Sequence, residues 1–390
     1  MTISSAIHPV YAGMETTIFE VMSARARELG AINLGQGFPD EPGAPELVEA
    51  AVRALRTRSG QYPPGPGLPE LRDAVCEFYR RRQGLDLGRE QVIVTSGATE
   101  AIACAVMALV KPGDEVILFQ PAYDAYAPMV RRCGGVPVSV PLSPPDWRYD
   151  AAALAAAITP ATRVVMFNDP LNPAGTVAGE AELAAIAKLC VAHDLVAICD
   201  EVWETVRFDG AHHRSPITFP GMAERSVKIG SAGKIFGMTG WKTGWMIAAP
   251  DLASGLARAH QFVTYASPVP LQWAAAEGLA LPDEWFAAQL AGWSASRDRL
   301  KTGLAGADFH VLANAATWFV CADLAASGIA LDDRMFAMRA LEEAGVATIP
   351  VSALFEGPGA PRHIVRFCFT KPAGMLDEAV HRLRGFRERL

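Results

Sequence analysis

The 390-residue chain reads as an α/β protein: a mostly parallel sheet covered by helices on both faces, followed by a smaller α+β unit. Three observations predict this. Short, near-continuous apolar runs rich in β-branched residues alternate with helix-period segments through the middle of the chain. Strands buried on both faces lose the apolar/polar alternation of half-exposed ones, so such runs belong to a sheet sandwiched between helices. After about residue 285 the pattern changes to longer helical stretches with isolated strands. Finally, 51% of the residues are apolar, ample for a large core and more than one unit.

The elements follow in order. EQVIVTSG (90–97) is a strand entering a turn, and ATEAIACAVMALV (98–110) a helix. DEVILFQ (114–120) is a strand, 122–133 a helix, VPVSVPL (136–142) a strand, and 150–158 a helix. TRVVMFN (162–168) is a strand, 180–194 a helix, and LVAICDEV (195–202), RSVKIGS (225–231) and GWMIAAP (244–250) are further strands. Later, TWFVCADL (317–324) and HIVRFCF (363–369) read as strands, and the tail places Met375, Leu376, Ala379, Val380, Leu383, Phe386 and Leu390 on one helical face. The expected division is an N-terminal segment 1–45, a large unit 46–284 and a small unit 285–390.

Composition excludes several function classes. A net charge of −7 argues against general nucleic-acid or membrane-surface binding. The first residues lack a secretory signal, and the charge-free stretch 259–276 holds two prolines, a histidine and two glutamines, unlike a membrane span. The seven cysteines never form CxxC and read as free thiols of a reducing cytosol. His212-His213, between Asp209 and Arg214, reads as a surface loop, and no metal site is expected.

SAGKIFGMTGWKTGW (231–245) raises the functional question: two lysines, Lys234 and Lys242, sit among four glycines. Both could be phosphate ligands, both solvated charges, or one a nucleophile. A triphosphate loop is excluded, because Lys228 stands where the first glycine of GxxxxGK belongs and Ile235 replaces the magnesium-binding hydroxyl. A dinucleotide fingerprint fails too: GQGFPD (35–40) and GPGLPE (65–70) have an acidic residue in place of the third glycine. A Schiff-base lysine for pyridoxal phosphate needs company: a carboxylate for the pyridinium, phosphate donors, a donor to the ring oxygen and a wall for the ring. Asp200 ends a wholly apolar run in VAICDEVWE, so it must be paired or hydrogen-bonded. Asn172, before Pro173 in NDPLNPAG, is held out of helix and can face the crevice at the strand ends. The backbone of Ala98 and Thr99 in SGATEA opens a helix, a ready anion site. Tyr123 in PAYDAY sits at the next junction, where a ring can stack. Each alone has a plainer reading as a cap, turn or packing residue; together they fall at successive strand ends of one sheet.

LGQGFPDE, QYPPGPGLPELRDAV, SAGKIFGMTGWKTGW, ATIPVSALF and VRFCF resemble the class I/II aminotransferases of pyridoxal-phosphate fold type I, over nearly the whole chain. The likeness is strongest to the branch holding kynurenine, methionine and N-succinyldiaminopimelate aminotransferases. It implies a three-layer large domain, Lys234 bonded covalently to the cofactor, Asp200 at the pyridine nitrogen, Asn172 at the ring oxygen and substrate carboxylate, and Tyr123 stacked on the ring. It implies a phosphate held by Ala98, Thr99, Ser231 and Lys242, with Tyr62 arriving from the partner subunit of a homodimer. Arg366 and the Gly37 backbone would bind the substrate carboxylate, and the N-terminal segment would fold onto the small unit. Two positions depart from the common pattern. Trp203 replaces the usual tyrosine of DEVYE, and Lys242 replaces the commoner arginine, a change typical of this branch. Tyr126, Trp203, Ile18 and Phe19 suggest an apolar or aromatic-tolerant substrate pocket. The expected reaction moves an amino group from an apolar, aromatic or sulfur-containing amino acid to a 2-oxo acid. Alternatives are β-elimination on cysteine conjugates and action on N-succinyldiaminopimelate; a regulator would need a DNA-binding domain ahead of the fold.

Overall fold

A computed structural model describes residues 6–390. The short strand β1 (Ile32–Asn33) precedes seven strands of one sheet: β2 (Val92–Thr95), β3 (Glu115–Gln120), β4 (Val136–Pro141), β5 (Thr162–Asn168), β6 (Val196–Asp200), β7 (Ser226–Ser231) and β8 (Gly244–Ile247). Their order is β2-β8-β7-β6-β5-β3-β4. Only β8 runs against its neighbours, so the sheet is mostly parallel.

The apolar runs serve both faces. Val116 and Leu118 of β3 join one core cluster, while Ile117 and Phe119 join another; Val164 and Met166 of β5 likewise part from Val165 and Phe167. Successive side chains of a strand point to opposite faces, so each run feeds two helix layers. Truncating a core ring such as Phe167 to alanine costs about 3–5 kcal/mol.

The second sheet contains β9 (His310–Val311), β10 (Phe319–Asp323), β12 (Ile349–Pro350) and β13 (Ile364–Cys368), all antiparallel, in the order β12-β13-β10-β9. β11 (Val346–Ala347) pairs in parallel with β1, and Cys368 N–H donates to the Leu34 carbonyl at 2.7 Å. The chain around residues 32–34 is thereby bonded to strands more than three hundred residues away in sequence. The helix Asp283–Gly306 leads from one sheet to the other, and the tail helix Ala373–Arg387 buries Leu376, Ala379, Val380, Leu383 and Phe386. Leu390 lies past its end and is exposed.

A buried charge network lies under the large sheet's C-terminal edge. Lys228 Nζ donates to Glu201 and to Glu204, at 2.6 Å each. Tyr79 Oη donates to Glu204 at 2.5 Å, and His213 bridges Asp169 (2.9 Å) and Glu201 (2.7 Å). The expectation of a surface loop at His212-His213 is therefore corrected. His212 is exposed, but His213 is buried, because both its ring nitrogens meet carboxylates that burial would otherwise leave unpaired. Burial opposes its protonation, yet Asp169 and Glu201 together raise its pKa to about 9.

This pair has a signed consequence. A histidine with a folded pKa near 9 and an ordinary value of 6.5 contributes stability fully below pH 6.5, and loses it as pH rises through 9. The loss is about 3 kcal/mol. Urea midpoints measured from pH 6 to 10 should fall across this window, and His213→Gln should remove most of the slope.

Candidate active site

The strand ends place the site. Asn168 and Asp200 end β5 and β6 and are paired in register, and Ser231 ends β7. Gly244 opens β8 opposite both Ser231 and Thr95. Because β8 returns antiparallel, the loop before it comes back to the same edge, where Ala232 N–H donates to the Thr243 carbonyl at 3.0 Å. The nine residues from Lys234 to Lys242 belong to this connection, and both lysines border one cavity of about 430 Å³. That volume falls in the usual range for small-molecule sites.

Lys234 faces the cavity with burial pulling its pKa down to about 8, against the opposing pull of Asp200. Its Nζ lies 4.7 Å from the Trp203 ring centre and 5.1 Å from that of Trp318. Its hydrogen bond is a long one, to the Gly37 carbonyl at 3.5 Å. Asp200 is buried, which raises its pKa. A 2.5 Å hydrogen bond from Tyr126 Oη and a longer one from Val202 N–H work against that rise.

At the helix Gly97–Leu109, the first N–H groups have no intrahelical acceptor. Those of Ala98 and Thr99 open toward the cavity. Gly97 has φ +75°, and a Cβ there would sit 3.3 Å from Lys242 Nζ, so the exposed Lys242 brings its ammonium to the helix start. Tyr123 lies alongside, its hydroxyl 3.5 Å from that of Thr99.

Arg366, from the middle of β13, enters from the other sheet. It is 2% exposed, yet no carboxylate pairs with it among the described residues. Nη1 donates to Asn172 Oδ1 at 3.0 Å and Nη2 to the Gly35 carbonyl at 2.5 Å, while Nε has no acceptor. The guanidinium stacks 3.9 Å from Phe319 and 5.1 Å from Phe19, and burial lowers its pKa to about 10. Gly37 permits this packing: a Cβ there would lie 2.6 Å from Phe319 Cζ.

The cavity thus gathers Lys234, Asp200, Ala98, Thr99, Tyr123, Asn172, Ser231, Lys242, Gly37, Arg366, Trp203 and Phe19. Two expectations are corrected. Tyr126 stands behind Asp200 instead of on the pocket wall, because the helix begins at Tyr126 and turns that ring inward. Ile18 packs against the cluster containing Met22 and Leu341, and its neighbours Thr17 and Phe19 line the cavity. Tyr62 is 83% exposed, set edge-on against Tyr265 at 5.4 Å, and does not line the cavity of its own chain. Among the lining residues that the sequence reading did not single out are Asn168, Asp124, Gln36 and Phe319. Three adjoin motifs singled out there; Phe319 carried no signal beyond its strand.

The family profile described as aminotransferase class I and II matches residues 30–383. The chain belongs to the class I and II aminotransferases. It is 46% identical over 386 residues to a probable N-succinyldiaminopimelate aminotransferase of Mycobacterium tuberculosis, covering 96% of this chain and 97% of that one. It is 37% identical over 370 residues to a methionine aminotransferase of Escherichia coli, covering 95% of each. The solved structure of N-succinyldiaminopimelate aminotransferase from M. tuberculosis matches with a TM-score of 0.94 at 45% identity, over 97% of this chain and 99% of that chain. Aminotransferases of this class and fold use pyridoxal phosphate. The donor set fits that group. A lysine unpaired with any carboxylate, a buried carboxylate, and a helix start joined by an ammonium answer its aldehyde, its ring nitrogen and its phosphate.

In this aminotransferase the Tyr126 hydroxyl should keep Asp200 ionised against burial. Tyr126→Phe removes a hydrogen bond to a charged group, worth about 1.5–3 kcal/mol. Cofactor affinity should fall roughly 10- to 100-fold. The deficit, followed by equilibrium dialysis across pH, should widen as pH falls and Asp200 takes up a proton. A uniform deficit at every pH would contradict this role.

Proposed function

We propose that this aminotransferase moves the amino group of an L-amino acid with an apolar, aromatic or sulfur-containing side chain to a 2-oxo acid. Lys234 is the residue that bonds the cofactor, Asp200 faces its ring nitrogen and Asn172 its ring oxygen, and Tyr123 covers the ring. Ala98, Thr99, Ser231 and Lys242 hold the phosphate. Bound there, pyridoxal phosphate supplies an electron sink for the electron pair released at the substrate Cα.

The chain's own groups do the rest. Arg366 takes the substrate α-carboxylate in the bidentate geometry a guanidinium suits, with Asn172 and the Gly37 backbone beside it. Neutral Lys234 Nζ removes the proton from Cα and later returns one. A pKa near 8 keeps part of the amine neutral at physiological pH, where an ordinary lysine would be almost wholly charged. Trp203, Phe19 and Phe319 shape an apolar wall.

The observation carrying this reading is Arg366: a buried guanidinium with no carboxylate partner and an unpaired Nε, in the same cavity as Lys234 and Asp200. Burying an uncompensated charge is costly, so the site suits an anionic ligand. The side-chain preference rests on the wall and on the cavity's cations: Lys234, Lys242 and Arg366 all have roles, leaving none among the described residues for a second carboxylate. A second reading, action on N-succinyldiaminopimelate, draws support from the 46% identical relative.

Two further readings support one another. Tyr62 and Tyr265 form an exposed aromatic pair, and Phe262 is 84% exposed. They suit a homodimer in which Tyr62 reaches the phosphate of the other copy. We read residues 46–284 as the cofactor-carrying unit, and 1–45 with 285–390 as the unit that closes with Arg366 over substrate. Seven free cysteines, and no helix among the described residues long and apolar enough to cross a membrane, fit a cytoplasmic enzyme.

A donor panel with pyruvate and 2-oxoglutarate tests the substrate class. Methionine, leucine, phenylalanine and kynurenine should outpace aspartate and N-succinyldiaminopimelate; the reverse order would select the second reading. Lys234→Ala should lose the visible absorbance of the bound cofactor and all measurable turnover. Arg366→Lys should raise KM roughly 10- to 100-fold for every amino acid alike.

A further inference from the structure

We propose that the π face of Trp203 is the counter-group for the Lys234 ammonium, making Trp203 a positioning residue that sets how readily the base holds its proton. The inference rests on the reading of Lys234 as the cofactor lysine and base.

The geometry shows which part of the indole meets Lys234. Trp203 is 3% exposed. Trp318 meets it edge-on at 5.0 Å and 81°, and Phe319 at 5.4 Å and 74°. The indole is wedged between these two rings. What it presents to Lys234 is its face, 4.7 Å from Nζ, with Trp318 offering a second ring at 5.1 Å. A cation within about 6 Å of an indole centre is attracted by the ring quadrupole, most strongly where water is excluded.

The surrounding charges leave room for this contact. Asp200 at the end of β6 and Cys368 on β13 favour the ammonium, while Arg366 on β13 and Lys242 before β8 disfavour it. Asp200 accepts its hydrogen bonds from Tyr126 Oη and Val202 N–H, and Lys234 forms none with it. From the N-terminal segment only the distant Gly37 carbonyl reaches Nζ. The aromatic face therefore offsets part of the cost of burying this cation without neutralising it. A carboxylate in the same place would hold the proton too tightly for a base.

A fluorinated tryptophan series at position 203 tests this, since it drains the ring face while keeping shape and burial. In the full-length chain freed of cofactor, the pH dependence of Lys234 acetylation by acetic anhydride, read by mass spectrometry, gives its pKa. The expected result is a stepwise fall with each added fluorine, about one pH unit across the series. Trp203→Leu should fall at least as far, and the acid limb of kcat, which reports the substrate complex, should move to lower pH in parallel. A flat series overturns the proposal and leaves Trp203 as pocket bulk, visible only in KM for large side chains. Borohydride reduction and peptide mapping of the loaded enzyme separate two failures. Cofactor on Lys234 with a flat series overturns this inference alone; cofactor on another lysine overturns the underlying reading and this inference with it.

Discussion

The site depends on two buried cations that have no carboxylate of their own. Lys234 and Arg366 lie in one cavity, and neither forms an ion pair among the described residues. Desolvation penalises both, which is why both lose proton affinity. Aromatic faces make the arrangement tolerable: Trp203 and Trp318 at the lysine, Phe319 and Phe19 at the guanidinium. These contacts stabilise charge without neutralising it.

The contrast with the network beneath the sheet makes the point sharper. There Lys228 is as deeply buried as any group in the protein, but it is bonded to Glu201 and Glu204 and its pKa is raised. Two lysines on the same stretch of chain, six residues apart, thus receive opposite treatment. Lys228 points from the middle of β7 into a set of carboxylates; Lys234 lies past the strand's end, in the loop that faces the cavity. Position relative to the strand end separates the lysine of the carboxylate network from the lysine of the cavity.

That rule also explains what was legible in the sequence. Asp200, Asn172, Lys234 and the helix start at Ala98 were readable because strand ends of a parallel sheet converge, and the apolar runs mark where each strand ends. Lys242 was readable only through the motif, since its return to the site depends on β8 running antiparallel, which an apolar run does not announce. Tyr126 was misplaced because PAYDAY turns into a helix four residues later than its periodicity suggests, which sends one tyrosine to the cavity and the other behind Asp200. His213 was misplaced because Asp209 and Arg214 flank it in sequence, whereas its real partners, Asp169 and Glu201, come from two other strand ends. Long-range pairings of this kind leave no local trace.

Trp203 joins the two halves of the argument. Its ring packs on Phe319, Phe319 carries Arg366, and Gly37 leaves Phe319 the room to do so. Lys234 comes from the large sheet's edge and Arg366 from the small sheet, so one aromatic cluster spans both cations of the cavity. A change in the size of the ring at 203 therefore reaches both. A smaller ring would loosen Phe319 and, through it, Arg366; a ring with a poorer face would alter Lys234 alone. Size and electrostatics at this single position are separable, and the two cations report them independently.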